Sequence, residues 1–305
     1  MKAIFNNDFL AIPSEEIVSK IKKDGYFNFP KALTPEFIDK IESDIKNNRL
    51  GINNNRVSGV ETKTQYYHAN MLCISKSFYN YITSPSLIDI SEKYLDNSYF
   101  RVKAHRYYET NGYHKMIWHS DNKLLPEQNR FGNVTGLIFI SYISDVYDGE
   151  FQYIKGSQKI SEEKKLWSDK EILDKFGEKS IKSFKGGRGE IIIYDTAGIH
   201  RAKPFNNPNK VRKSLFFQVD LNDDAEPLFI NPGFMDNLDK QKEFYLGFGR
   251  NFSGTEFPIT TVGDLSLLSF IDNVFIKWLK SYFRNLPRMT YKFLKVNLRY
   301  FFKKN

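Results

Sequence analysis

Between residues 100 and 220 the chain breaks into five short runs rich in β-branched and aromatic residues: FRVKAHRYYE, VTGLIFISYI, GEFQYIKGS, GEIIIYDTAG and RKSLFFQVDL. Gly, Asp and Asn separate them, as turns between strands require. Only 161–179 interrupts the series, with a charged, helical pattern. Parallel strands need a crossover, usually a helix, at every step, and this stretch does not alternate strand with helix. The pattern therefore predicts an antiparallel sandwich or barrel. Aromatic residues make up 16% of the chain, enough to fill the interior of such a core.

Helical signals precede the strands. Ser14 is placed to cap a helix over 15–23, with Ile17 and Ile21 on one face and a stop at Asp24-Gly25. Thr34 is placed to cap a second, with Pro35 at its first position and Phe37, Ile38, Ile41 and Ile45 as its apolar stripe. The Asn-rich stretch 47–55 reads as a loop. With 305 residues in all, the expected organisation is a mainly β domain with flanking helices over 1–255 and a basic helical tail over 256–305.

The single cysteine, Cys73, excludes a disulfide framework or a Cys-rich zinc site, and is expected to be a small buried apolar residue. No uninterrupted apolar stretch of about 18 residues suits a transmembrane helix. Asn6, Asn7 and Asp8 stand where a signal peptide would be apolar, so a cytoplasmic protein is expected. The net charge of +9 is uneven: nine basic residues and one acid give 271–305 a charge of +8, leaving +1 for the rest. An anionic partner should meet the tail rather than the body.

The candidate chemistry lies in His119-Ser120-Asp121, at a strand end. Side chains two apart on a strand share a face, so His119 and Asp121 converge. His200 follows the strand EIIIYD and supplies a third ligand. Two imidazoles and one carboxylate form the facial donor set of non-haem Fe(II) oxygenases, which leaves positions for a co-substrate and O2. A 2-oxoglutarate co-substrate would further need a cation for its distal carboxylate. Arg212, twelve residues past His200, can take it in a two-pronged grip, and Ser214 shares its face.

These segments resemble the phytanoyl-CoA dioxygenase family of Fe(II)/2-oxoglutarate oxygenases. WHSD matches its H-x-D, DGEFQYIKGSQK its glycine-led strand and turn, GRGEIIIYDTAGIHRA the approach to the distal histidine, and VRKSLFF the 2-oxoglutarate arginine. IKKDGYFNFPKAL resembles the family's first helix and strand, so the likeness spans about 17–220. Lys155 and Gln158 depart from the turn's proline and histidine, and neither is expected at the metal. The resemblance implies a double-stranded β-helix, or jelly roll, with iron on His119, Asp121 and His200 and 2-oxoglutarate on Arg212 and Ser214. Tyr108, on the preceding strand, is a further candidate for a co-substrate contact. Some relatives halogenate after losing the carboxylate ligand. Asp121 is present, so the resemblance implies hydroxylation of an unactivated C–H bond of a small-molecule or lipid-linked substrate.

His68, His105 and His114 have no partner at ligand spacing and read as polar or half-buried residues, with His105 and His114 placed to line a pocket mouth. Trp118 and Tyr194 read as core or pocket wall. In the tail, basic residues from Lys277 to Lys303 recur every three or four positions, opposite Phe275, Leu279, Tyr282 and Leu286, with a break at Pro287. Two readings stand side by side: a helix packed on the barrel, or a basic amphipathic helix on an anionic membrane surface. The second would suit a membrane-held glycolipid sugar, as for Kdo hydroxylases, or a non-catalytic jelly-roll binding protein. A pure binder has no use for the metal ligands or Arg212. Nucleic acid is not expected, because no recognition motif accompanies the charge.

Overall fold

The computed structural model describes residues 3–49, 59–61, 63–96, 100–121, 136–160, 166–221, 228–236, 238–248 and scattered positions between 279 and 294. The chain up to Phe248 forms one compact unit, apart from 223–226, which groups with 249–305 in a second.

The first unit is built on two antiparallel sheets. The strands are β1 (Tyr26–Phe29), β2 (Gly59–Glu61), β3 (Gln65–His68), β4 (Arg101–Asn111), β5 (Trp118–His119), β6 (Gly136–Tyr142), β7 (Val146–Ile154), β8 (Leu166–Trp167), β9 (Ile181–Gly186), β10 (Ile191–Asp195), β11 (His200–Ala202) and β12 (Val211–Asp220). The larger sheet runs β1-β10-β6-β12-β4-β3-β2 and the smaller β8-β5-β11-β7-β9. All five expected strand segments are present, and the architecture is mainly β with flanking helices around a jelly-roll core.

The central strands are covered on both faces, which is why they read as continuous apolar runs. On β6, Ile138 and Tyr142 point inward and join Phe151, Tyr153 and Phe184 of the smaller sheet. The alternate residues Leu137 and Phe139 point outward into a core shared with the helices. There Phe139 stacks on Phe217 of β12 at 4.3 Å.

That outer core is capped by α1 (Asn7–Leu10), α2 (Ser14–Asp24), α3 (Pro35–Arg49), α4 (Met71–Ile74), α5 (Lys76–Ile82) and α6 (Pro85–Leu95). Gly25 ends α2 in the left-handed conformation, at φ 91°. Thr34 Oγ1 accepts from the Phe37 amide at 3.3 Å and starts α3. Two local expectations are corrected. The N-cap position of α2 is Pro13, without a side-chain bond, and Ser14 is already helical. Likewise α3 continues to Arg49, so 47–49 is helix, because this end still packs on the sheet and Arg49 pairs with Glu109. On the smaller sheet, α7 (Asp169–Phe176) starts at a Ser168/Glu171 capping box, inside the stretch expected to be helical. A further helix, α8 (Lys240–Tyr245), follows β12.

Cys73 is half-buried rather than buried: its Sγ donates to the Phe229 carbonyl at 3.2 Å, and burial raises its thiol pKa. The described tail residues Leu279, Tyr282, Phe283, Leu286, Tyr291 and Leu294 are exposed, and those between 279 and 294 are helical. All nine basic residues of 271–305 lie outside the described residues. No helix among the described residues is long and apolar enough to cross a membrane.

Candidate metal centre and its pocket

Strand register brings the two histidines together. His119 ends β5 and His200 begins β11, and they are direct antiparallel partners. Their rings lie 4.4 Å apart. β5 has only two paired residues, but it is held from both sides: by β11 and by β8, where Trp118 pairs with Trp167. Trp118 is buried, donates to Asp169 Oδ1 at 2.8 Å, and lies 4.2 Å beneath the Arg201 guanidinium. Arg201 in turn pairs with Asp169 at 2.6 Å.

Asp121 sits two residues beyond the end of the strand. Its amide donates to the Thr196 carbonyl at 3.1 Å, which ties it to the turn before His200. Its Oδ1 lies 3.5 Å from His119 Nε2 and its Oδ2 3.5 Å from His200 Nε2. In each ring the other nitrogen is used by the backbone: His119 Nδ1 meets the Ile117 carbonyl at 2.9 Å and His200 Nδ1 the Gly198 carbonyl at 3.0 Å. Those contacts require the proton on Nδ1, so both Nε2 lone pairs face Asp121.

The ligating atoms of His119, Asp121 and His200 lie within 4.8 Å of one another, so the three residues fit one divalent ion. The electrostatics agree. Burial, and then His200, lower the His119 pKa and favour its neutral, ligating form. Burial pushes the Asp121 carboxyl up, but His200 and His119 outweigh it and hold the group below the usual carboxylate range.

The turn into His200 is tightly determined. Asp195 Oδ1 accepts from the Ala197 amide at 2.7 Å, and the Asp195 carbonyl from the Gly198 amide at 3.1 Å. Gly198 lies against the Tyr153 hydroxyl, where any Cβ would collide.

The three residues open into a cavity of about 350 Å³ between the sheets. Arg212, Ser214 and Tyr108 all line it. Cross-strand pairing places Arg212 opposite Thr110, and Ser214 between Tyr142 and Tyr108. Arg212 Nη1 donates to the Gly149 carbonyl, and its guanidinium lies 5.9 Å from the Phe205 ring centre. Burial lowers its pKa, opposed by Tyr142 and Glu150.

Tyr194, expected in the core or pocket wall, lines the cavity with its hydroxyl 3.4 Å from His200 Nε2. Other lining residues escape the sequence reading. Arg106 and Thr110 were reachable by extending the period of two from Tyr108. Gln65 was not, because β3 carries no clear strand signal. His114 lines the cavity, whereas His105 does not. His105 faces the outer core, 5.8 Å from the Phe78 ring, and burial lowers its pKa to about 3. The correction follows from strand alternation: with Arg106 inward, His105 must point out. Gln158 bonds to carbonyls at the end of α2 and Lys155 pairs with Asp24, both outside the pocket.

Two antiparallel sheets, with a His-Asp-His cluster lining the cavity between them, define the class of fold as a double-stranded β-helix. Among solved structures the chain is similar to HygX from Streptomyces hygroscopicus with nickel, 2-oxoglutarate and hygromycin B bound, at 14% identity, covering 67% of this chain and 86% of that one with a TM-score of 0.52. It is also similar to the epimerase SnoN in complex with Fe3+, alpha ketoglutarate and nogalamycin RO, at 15% identity, 82% and 96% coverage and a TM-score of 0.53. The carbocyclase SnoK from nogalamycin biosynthesis matches at 15% identity, 76% and 92% coverage and a TM-score of 0.53. No family model and no curated protein sequence matches the chain.

Proposed function

We propose that the protein is an Fe(II)/2-oxoglutarate-dependent dioxygenase that hydroxylates an unactivated C–H bond of a small-molecule or lipid-linked substrate. The observation that carries this reading is the in-register His119–His200 pair with Asp121 across it, in the same cavity as Arg212. The metal and 2-oxoglutarate bound in HygX and SnoN, on a shared fold, support the choice of cofactors. Bound here, they would supply O2 activation, coupling decarboxylation of 2-oxoglutarate to succinate with oxidation of the substrate.

In this reading His119, Asp121 and His200 hold the iron. Arg212 takes the distal carboxylate of 2-oxoglutarate, with the Ser214 hydroxyl beside it. Ile140, Phe151 and Phe216 make the cavity walls apolar and limit water around the reacting centre. The order of the motifs, like that of phytanoyl-CoA dioxygenases, and the retained Asp121 support hydroxylation. SnoN and SnoK are an epimerase and a carbocyclase, so the product must be identified and not only succinate. The test is turnover of 2-oxoglutarate to succinate under 18O2 across a panel of lipids, acyl thioesters, amino acids and sugars. Substrate-dependent succinate with 18O in the product supports the reading. Failure to bind iron and 2-oxoglutarate together overturns it.

We further propose that the basic tail attaches the protein to anionic lipid. The exposed, helical Leu279, Tyr282, Phe283 and Leu286 supply an apolar face for this, and the +8 charge of 271–305 supplies the attraction. On this reading a membrane-held glycolipid sugar is the alternative substrate class.

A further inference from the structure

The cavity holds two arginines and one carboxylate among its described lining residues. Arg212 and Arg106 line it from the paired strands β12 and β4. Arg212 pairs across the strands with Thr110 and Arg106 with Phe216, so the two positions are four residues apart along the ladder. At about 3.3 Å per residue the two backbone positions are roughly 13 Å apart along the sheet, which makes Arg106 a second cationic position on the cavity wall, distinct from Arg212.

The charges point the same way. A divalent metal, Asp121, doubly anionic 2-oxoglutarate and Arg212 sum to zero. Lys103, nearby on β4, is matched by the buried Asp220 at 3.3 Å. Burial, and then Arg212, lower the pKa of His114, which favours its neutral form. Arg106 is left over. Its Nη1 donates to the Tyr108 hydroxyl at 2.8 Å, and no carboxylate pairs with it among the described residues. The Tyr108 ring is in turn set between Phe216, at 6.2 Å, and Tyr67, at 6.0 Å. The bond to Tyr108 fixes one edge of the guanidinium and leaves further N–H donors for a ligand.

Building on the oxygenase reading, we propose that Arg106, oriented by Tyr108, binds an anionic group of the primary substrate, a carboxylate or a phosphate ester. The substrate would then lie along the cavity with its charged end at Arg106 and its reacting carbon toward His119 and His200.

The test uses full-length protein loaded with Ni(II) and saturating 2-oxoglutarate, titrated with benzoate, phenyl phosphate and neutral benzyl alcohol by ligand-detected NMR. One of the two anions should bind at least about tenfold more tightly than benzyl alcohol, and which one does so separates carboxylate from phosphate. Arg106→Gln should abolish that preference, and Arg106→Lys should restore part of it. Equal affinity for anions and alcohol, no binding of any probe, or an undiminished preference in Arg106→Gln would overturn the proposal. The affinity for 2-oxoglutarate is read in parallel. Should wild-type protein bind none, the oxygenase reading fails. The same titration, run without 2-oxoglutarate on Arg212→Ala protein with and without Arg106→Gln, then still decides the role of Arg106.

Discussion

The Tyr94 hydroxyl, on the last turn of α6, donates a 2.5 Å hydrogen bond to Asp195 Oδ2 at the end of β10. It joins a helix of the outer layer to the turn that delivers His200. Both residues are buried. Burial raises the Asp195 pKa to about 6, against the opposing bonds from Tyr94 and the Ala197 amide.

Stability should therefore depend on pH through Asp195. Its folded pKa of about 6 lies above the ordinary 3.8, so folding favours the protonated acid. The stability this contributes is complete below about pH 4 and is lost as pH rises through 6. A difference of about two units corresponds to roughly 3 kcal/mol. Asn in its place keeps an acceptor for Tyr94 and does not ionise. Urea unfolding in the presence of a chelator, at a series of pH values, should show wild type losing stability relative to Asp195→Asn between pH 4 and 7. Parallel pH profiles would show that Asp195 is ionised throughout.

Removing one ligand should cost the metal site heavily. His200→Ala leaves a carboxylate and a single imidazole, and its affinity for Fe(II) or Ni(II), measured anaerobically by calorimetry, should fall by more than about 100-fold. Loss of an outer partner of a ligand alone typically costs about 10–100-fold. Unchanged metal content in His119→Ala or His200→Ala would remove the assignment.

Arg212→Ala should raise the Michaelis constant for 2-oxoglutarate by more than about tenfold. Truncating one partner of a buried charged pair typically costs about 2–5 kcal/mol. The succinate assay reads it directly. An unchanged constant would move the role to another cation.

The tail should bind vesicles of phosphatidylglycerol and phosphatidylcholine but not of phosphatidylcholine alone. Each Lys or Arg near an anionic surface contributes about 1 kcal/mol, and added salt screens the attraction with a Debye length of about 10 Å at 0.1 M. Co-sedimentation should fall with salt and vanish on truncation after Ser269. Equal binding by the truncated protein, or none by the intact one, would favour the packed-helix reading.

Much of this architecture is local and therefore legible in the chain. A period of two puts Arg212 with Ser214, the H-x-D spacing keeps Asp121 beside His119 although Asp121 lies past the strand end, and Gly25 and Thr34 punctuate the helices through their own backbone chemistry. The helices α4 to α6 are not legible, because Leu72, Phe78, Tyr81 and Leu87 are buried within a shared outer core and leave no single apolar stripe to find. Nor is the outward turn of His105, which depends on which face of β4 meets the cavity. Sequence alone determined which residues can ligate a metal and which face of its own strand each occupies. Tertiary structure decided that His200 pairs with His119 and that Arg106 shares a cavity with Arg212. Those relations depend on the register between strands distant in the chain, and register is set by packing both sheet faces at once.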